Sequence, residues 1–189
     1  MTRVLDLGCG TGDSWRRLGV SVENCQVIGI DVVPQRLQDA RNKYSSDCEL
    51  YVCGRGEDIP LANASMDGAV CGLSLPYMNI PCALAELHRV LVPGGWLRAT
   101  VHPPRFTWHE FCQSFPKPKQ SLFRVLVFLN GMLLHCSGVV MSVRNVHESC
   151  QTRRGMRIAL RRAGFVETRF WDDESGKFHV DARTNEPGQ

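Results

Sequence analysis

Several things are scarce in this chain of 189 residues, and each scarcity removes a class of explanation. Charge of one sign is not in excess: 22 Lys and Arg against 19 Asp and Glu leave a net +3, which neither demands nor excludes an anionic partner. The cysteines lack the dense, regular spacing of a secreted disulfide scaffold. They number nine, an odd count, and are scattered from Cys9 to Cys150, which favours a reducing cytoplasm. Residues 1–6 put a charge where an export signal needs its apolar stretch, so none is expected. Internal repeats and low-complexity tracts are absent. The most apolar stretch, 123–143, is interrupted by Arg124, Asn130, Gly131, His135, Ser137 and Gly138. That pattern predicts a buried or substrate-covering helix pair and no membrane span.

What is present is a globular composition. A 43% hydrophobic content and a length that lets about 70% of the unfolded surface be hidden predict one domain over 1–189. Short apolar runs alternate with segments of helical period, the pattern of a mostly parallel α/β sheet with helices on both faces. Strands are expected at 3–7, 26–30, 49–52, 68–73 and 96–101. Pro34 opens a helix with Leu37, Ala40 and Tyr44 on one face; Leu84, Leu87 and Leu91 mark the next, which Pro93-Gly94-Gly95 stops. Met156, Leu160 and Ala163 form another helical stripe ending at Gly164, with strands following at 165–171 and 177–183. The segment 103–150 breaks the alternation and is too long for a simple connection, so it is expected to be a cap or lid inserted between the fifth and sixth strands.

The strongest local signal is VLDLGCGTG at 4–12, an apolar strand running into Gly8, Gly10 and Gly12. Glycine at such a strand end lets the backbone turn tightly and approach a ligand closely. Its companion is Asp31, nineteen residues after Gly12 at the tip of the next strand, where an acid accepts hydrogen bonds from ribose hydroxyls. A dinucleotide fingerprint needs a third glycine where this chain has Asp13, so a nicotinamide cofactor is the weaker reading. Asp6 and Asp13 also bring carboxylates where a pyrophosphate would be repelled and where a sulfonium or ammonium group is tolerated.

With the block GEDIPLANASMDGAV at 56–70 and ELHRVLVPGGWL at 86–97, these motifs make the chain resemble the class I S-adenosylmethionine-dependent methyltransferases, of the group that includes small-molecule and quinone-biosynthesis enzymes. The resemblance is strong over residues 3–101 and weaker at the C-terminal strand pair. It implies a Rossmann-like seven-stranded sheet with a reversed last strand, S-adenosylmethionine as cofactor, and a cofactor lying across the C-terminal ends of the first four strands. Carried over by position, Asp6, Gly8, Cys9, Gly10, Thr11 and Gly12 surround the methionine part, Asp31 holds the ribose and Val32 lies against adenine. Leu73 and Ser74 line the floor near the sulfonium. Where relatives have Gly-Asp-Ala after the third strand this chain has Gly54-Arg55-Gly56, so Glu57, Asp58 or backbone atoms are expected to meet the adenine amino group. Relatives also carry a helix ahead of the first strand. The chain has no room for it, so either the insert after the fifth strand takes over the covering role or the chain is a shortened version with weak cofactor binding and no catalysis.

Methyl transfer is a direct displacement needing in-line placement and, for a hydroxyl acceptor, a base. Ligands in open sheets lie beyond the carboxyl ends of the strands, which points to Tyr77 and His102 as catalytic candidates, with Arg105 and His109 as acceptor contacts. His102 is the best candidate base, against the plainer reading of a structural histidine beside Pro103-Pro104. Ser74-Leu75-Pro76-Tyr77 resembles the Pro-Pro-aromatic motif of amino-group methyltransferases, with leucine for the first proline. Two repeats of His-x-x-Cys, at His109 and at His147, are weighed as a zinc site and set aside because their spacing is short of a recognised pattern. Arg153, Arg157 and Arg161 form a basic stripe with no stacking aromatics on its helix, so nucleic acid is not the expected partner. The reading is methyl transfer to a small-molecule acceptor. The alternatives are a non-catalytic cofactor-binding regulatory or interaction protein and, third, an NAD-dependent oxidoreductase.

Overall fold

The computed structural model describes residues 1–20, 25–44, 48–114, 117–143, 146–174 and 176–186. Within them the elements run β1 Thr2–Leu7, α1 Ser14–Arg17, β2 Cys25–Asp31, α2 Pro34–Lys43, β3 Glu49–Cys53, β4 Met66–Gly72, a 3-10 turn Leu75–Tyr77, α3 Ile80–Val90, β5 Leu91–Val101, α4 Pro104–Ser114, α5 Pro118–Ser137, α6 Arg153–Arg162, β6 Phe165–Asp172 and β7 Phe178–Thr184. The strands form one sheet in the order β3-β2-β1-β4-β5-β7-β6. All neighbours from β3 to β5 are parallel, and β7 runs antiparallel to both β5 and β6. The expected α/β architecture with a reversed last strand is therefore present.

Alternation along the strands divides the core between two faces. Leu5, Leu7, Ile28 and Ile30 point to the face covered by α3 and α6, where they join Leu84, Leu87, Met156 and Leu160 in the main apolar cluster. Val27 and Val70 point the other way and pack with Trp15 of α1. Asp6, between Leu5 and Leu7, belongs by the same parity to the α1 face, and it is 0% exposed. The order reverses at the β1/β4 boundary, the switch point beyond which open α/β sheets hold their ligands.

Two expectations need correction. Pro93-Gly94-Gly95 does not separate helix from strand: α3 ends at Val90 and β5 starts at once with Leu91, which pairs with Met66 before the register shifts to Gly68 and Trp96. The Pro-Gly-Gly run is a bulge inside a strand edge that neighbouring groups hold, with the Thr184 hydroxyl donating to the Val92 carbonyl at 2.8 Å. Leu73 lies outside β4, which ends at Gly72, and takes a left-handed φ of +61°.

The blocks at 56–70 and 86–97 turn out to be one structural unit. Arg89 of α3 donates to the carbonyls of Ile59 and Leu61, both at 2.8 Å, and Glu86 accepts the Ile59 amide at 2.8 Å. One helix face thereby holds the β3–β4 connection. On α6 the basic stripe is partly engaged. Arg153 pairs with Asp172, Arg157 lies over the Phe170 ring, and Arg162 donates to the Ser137 carbonyl. Among the described residues no helix is long and apolar enough to cross a membrane, and no group of three or more His, Cys, Asp or Glu is placed to hold a metal.

Candidate active site

The glycine loop after β1 folds over the end of β2, the amides of Gly8 and Cys9 both donating to the Ile30 carbonyl, at 2.7 and 3.1 Å. Gly8 has φ +71°, and a Cβ there would sit 2.2 Å from the Cβ of Ser74, so only glycine lets the loop pass under the β4 end. Ser74 fixes that contact by donating to the Leu7 carbonyl at 2.7 Å. Asp31 ends β2 with its carboxylate braced from two sides: Oδ2 accepts the Gly10 amide at 3.0 Å and Oδ1 the Val33 amide at 2.9 Å. Beyond Gly10, also at positive φ, a Cβ would meet nothing within 4 Å, so the backbone is open to close approach.

Two adjoining hollows lie at these strand ends. The larger, about 570 Å³, has Asp31, Val32, Gly54, Arg55, Gly56, Glu57, Ser74, Tyr77 and Met78 in its walls. The smaller, about 240 Å³, is walled by Gly8, Cys9, Gly10, Thr11, Asp13 and Ser14, and Gly8 and Arg36 belong to both. Asp13 accepts from Lys43 at 2.8 Å, from Tyr44 and from the Thr11 hydroxyl at 2.9 Å. The Lys43 hydrogen bond, followed by that of Tyr44, holds its carboxyl well below the usual carboxylate range. A separate hollow of about 450 Å³ over β5, β7 and β6 contains the ion-paired Arg98 and Asp181 and lies away from the strand ends.

A methyltransferase-domain family model matches residues 4–95. The malonyl-[acyl-carrier protein] O-methyltransferase of Erwinia pyrifoliae is 40% identical over 97 residues, covering 49% of this chain and 34% of that protein. O-methyltransferase rstn1 of Aspergillus nomiae is 30% identical over 143 residues, 68% of this chain and 63% of that one. These matches support the reading of residues 4–95 as a class I S-adenosylmethionine-dependent methyltransferase domain. The chain spans between about a third and two thirds of the length of these two relatives. In fold, the chain superposes on the S-adenosylmethionine-dependent methyltransferase of Mesorhizobium loti with a TM-score of 0.63 at 18% identity, covering 96% of this chain and 90% of that one.

The residues present fit an S-adenosyl group. Each Asp31 oxygen already accepts one amide and keeps a second acceptor site for a hydroxyl, and the open face at Gly10 admits a ligand against the backbone. Cys9 and Thr11 line the smaller hollow, whereas Gly12 is not in its wall: a Cβ there would strike the Tyr51 hydroxyl at 2.6 Å, so it packs against β3. Of the two acids offered for adenine, Glu57 lines the larger hollow, accepts the Asn79 amide at 2.8 Å and lies 3.6 Å from the Arg55 guanidinium. Asp58 and Leu73 lie outside both walls. Asp6 lies beneath the loop. Neither of its oxygens completes a hydrogen bond among the described residues, and burial pushes its carboxyl up to about 7, against the opposing pull of the Trp15 amide and Arg16. Cys9 is likewise driven upward by burial and stays a neutral thiol.

On the side away from Asp31 the structure brings the two catalytic candidates together. Tyr77 stands at the mouth of the larger hollow with its ring centroid 5.9 Å from that of His102, edge to face. The backbone of His102 is held by Gln151 through a reciprocal pair of hydrogen bonds at 2.8 Å, and burial lowers the imidazole's pKa, keeping it neutral at pH 7. Arg105 and His109 are not brought to this point. Arg105 is exposed against Phe106 and Gly176, and His109 bonds Gln113 on the outer side of α4. The sequence reading missed Glu110, Arg124 and Glu148. Arg124 lies 3.1 Å from Glu110 and 2.7 Å from Glu148, a chain of charges from α4 through α5 to the segment before α6. Burial, and then the charges of Glu148 and Glu110, raises the Tyr77 hydroxyl above its ordinary value. The available signal was a charged residue, Arg124, inside an otherwise apolar helix.

Proposed function

We propose that this chain catalyses methyl transfer from S-adenosylmethionine to the oxygen of a small-molecule acceptor, under a lid formed by 103–150. The observation that carries it is the Asp31 carboxylate, fixed by the Gly10 and Val33 amides at the lip of a hollow that leads to Tyr77 and His102. S-Adenosylmethionine, when bound, supplies an electrophilic methyl group for direct displacement. The glycine loop and Asp31 bind and orient the cofactor, Glu57 meets the adenine edge, and Tyr77 positions the acceptor. His102, neutral at pH 7, takes the proton of a hydroxyl acceptor at a ring nitrogen. Both sequence relatives are O-methyltransferases, which favours an oxygen acceptor over nitrogen or carbon. An odd number of cysteines scattered from Cys9 to Cys150, without the dense spacing of a disulfide scaffold, supports a cytoplasmic setting.

Calorimetric titration with S-adenosylmethionine, S-adenosylhomocysteine and NAD, with Asp31→Ala as control, tests the reading. Saturable binding of the two adenosyl ligands and none of NAD is expected. Two lost charge-assisted hydrogen bonds, about 1.5 kcal/mol each at the low end, correspond to about a hundredfold weaker binding in Asp31→Ala. Absence of adenosyl binding by the folded wild-type chain overturns the proposal.

A further inference from the structure

Beside the acceptor mouth lies a second cavity that the methyl-transfer reading does not use. It holds about 450 Å³ between α5 and the segment that precedes α6, and its walls are almost wholly apolar: Leu122, Leu126, Val127, Met141, Val143 and Val146. Its polar members are Asn130 and Glu148. Asn130 is fully occupied in holding the cavity shut, its Nδ2 donating to the carbonyls of Met141, His147 and Glu148 at 3.1 to 3.2 Å and its Oδ1 accepting the Met141 amide at 2.6 Å. The amides and carbonyls of Val143 and Val146 bond each other at 3.0 Å and close the turn. Among the described residues on that side, the Asn130 amide and the backbone groups of Val143 and Val146 are thus engaged within the protein. At the other side stands Glu148, bonded to Arg124 at 2.7 Å.

The two cavities meet at one stretch of chain. His147 lines the hollow at the cofactor site, while its neighbours Val146 and Glu148 line the apolar cavity. A molecule with its hydrocarbon part among Leu126, Val127 and Val143 thus has its polar end at Glu148 and Arg124, beside Tyr77. Leu122, Met141, Val143 and Val146 are all solvent-exposed, a contiguous apolar surface of the kind that marks a binding site.

We propose that this cavity binds the hydrocarbon chain of an amphiphilic methyl acceptor and delivers its polar end past Glu148 to Tyr77. The acceptor role rests on the methyl-transfer reading; the binding of a hydrocarbon chain does not.

Straight-chain alcohols from hexanol to decanol serve as probes in calorimetry on the whole chain. Each added methylene is expected to tighten binding about fourfold until the cavity is full, with a negative heat-capacity change. Val143→Asp and, as a second wall, Leu126→Asp should each weaken decanol at least tenfold while S-adenosylmethionine affinity stays at the wild-type value. An alcohol carrying a photoreactive diazirine beside its hydroxyl should label Tyr77 or His147, and one with the diazirine at its far end should label α5. Affinity independent of chain length, or unmoved by both variants, overturns the proposal. So does a wild-type chain that sediments as a dimer and takes up no alcohol, because a second copy then covers the surface. Labelling in the reverse sense also overturns it. Alcohol binding without any binding of S-adenosylmethionine refutes the methyl-transfer reading and leaves the hydrocarbon site standing, so the two failures are distinguishable.

Discussion

Asp6→Asn replaces a carboxylate that is 0% exposed, without a completed hydrogen bond, by a neutral group of the same shape. Most aspartates that matter to a fold have a lowered pKa and stabilise it once ionised. Asp6 has the opposite sign: burial raises it from 3.8 to about 7, so the folded chain holds a proton there that the unfolded chain releases. Below about pH 4 the acid is neutral in both states and costs nothing by ionisation. Between about pH 4 and 7 the cost grows by about 1.4 kcal/mol per pH unit and then levels off at up to about 4 kcal/mol. The asparagine variant escapes that cost. Its advantage over wild type should therefore be about 2 kcal/mol near pH 5 and up to about 4 kcal/mol at pH 8, read as urea midpoints at constant slope. A stability difference that is the same at both pH values, or that favours wild type increasingly as pH rises, refutes the argument. Either result means that the Trp15 amide and Arg16 hold the carboxylate in its charged form.

Three further outcomes follow from particular contacts. Gly8→Ala should destabilise by about 3 kcal/mol in chemical denaturation, because the left-handed backbone and a Cβ 2.2 Å from Ser74 both oppose it. Arg89→Ala, which removes the donors to Ile59 and Leu61, should cost about 2 kcal/mol and speed amide hydrogen exchange across 57–65 ahead of the rest of the chain; equal exchange in both proteins would show that Glu86 alone holds that loop. His102→Gln should lower kcat for a hydroxyl acceptor by a factor of about 100 or more and remove the acid limb of the pH–rate profile. That limb is expected below the ordinary imidazole value, since burial lowers the pKa of His102, and its survival in the variant would assign the base to another group.

The cofactor half of the site was legible because its chemistry is local. A strand, a glycine loop and an acid at the next strand tip are consecutive in sequence, and the tight turn at Gly8 and the bracing of Asp31 are demands of the backbone that few residue types meet. Leu73 and Asp58 lie outside both hollows, because position after a strand says only how far along the chain a residue lies, and Leu73 falls past the end of β4 at a left-handed φ. The Pro-Gly-Gly run misled because it carries the same signal whether it ends a helix or bulges a strand. Only the partner across the sheet, Met66 and then Gly68, distinguishes the two.

By itself the sequence determined the α/β architecture and the place of the glycine loop and Asp31 at the switch point of the sheet, since hydrophobic period and glycine placement act over a few residues and tolerate one backbone solution. The tertiary structure decided what stands opposite that acid. Tyr77 and His102 meet edge to face across 25 residues, Arg124 joins Glu110 to Glu148 across three segments, and Asn130 folds the chain after α5 back onto it to make an apolar cavity. Those contacts depend on how α4 packs on α5 and α5 on α6, and no spacing along the chain encodes that packing. The same holds for Asp6: its place in the motif is written in sequence, but its raised pKa exists only because the loop, α1 and β4 close around it and exclude water.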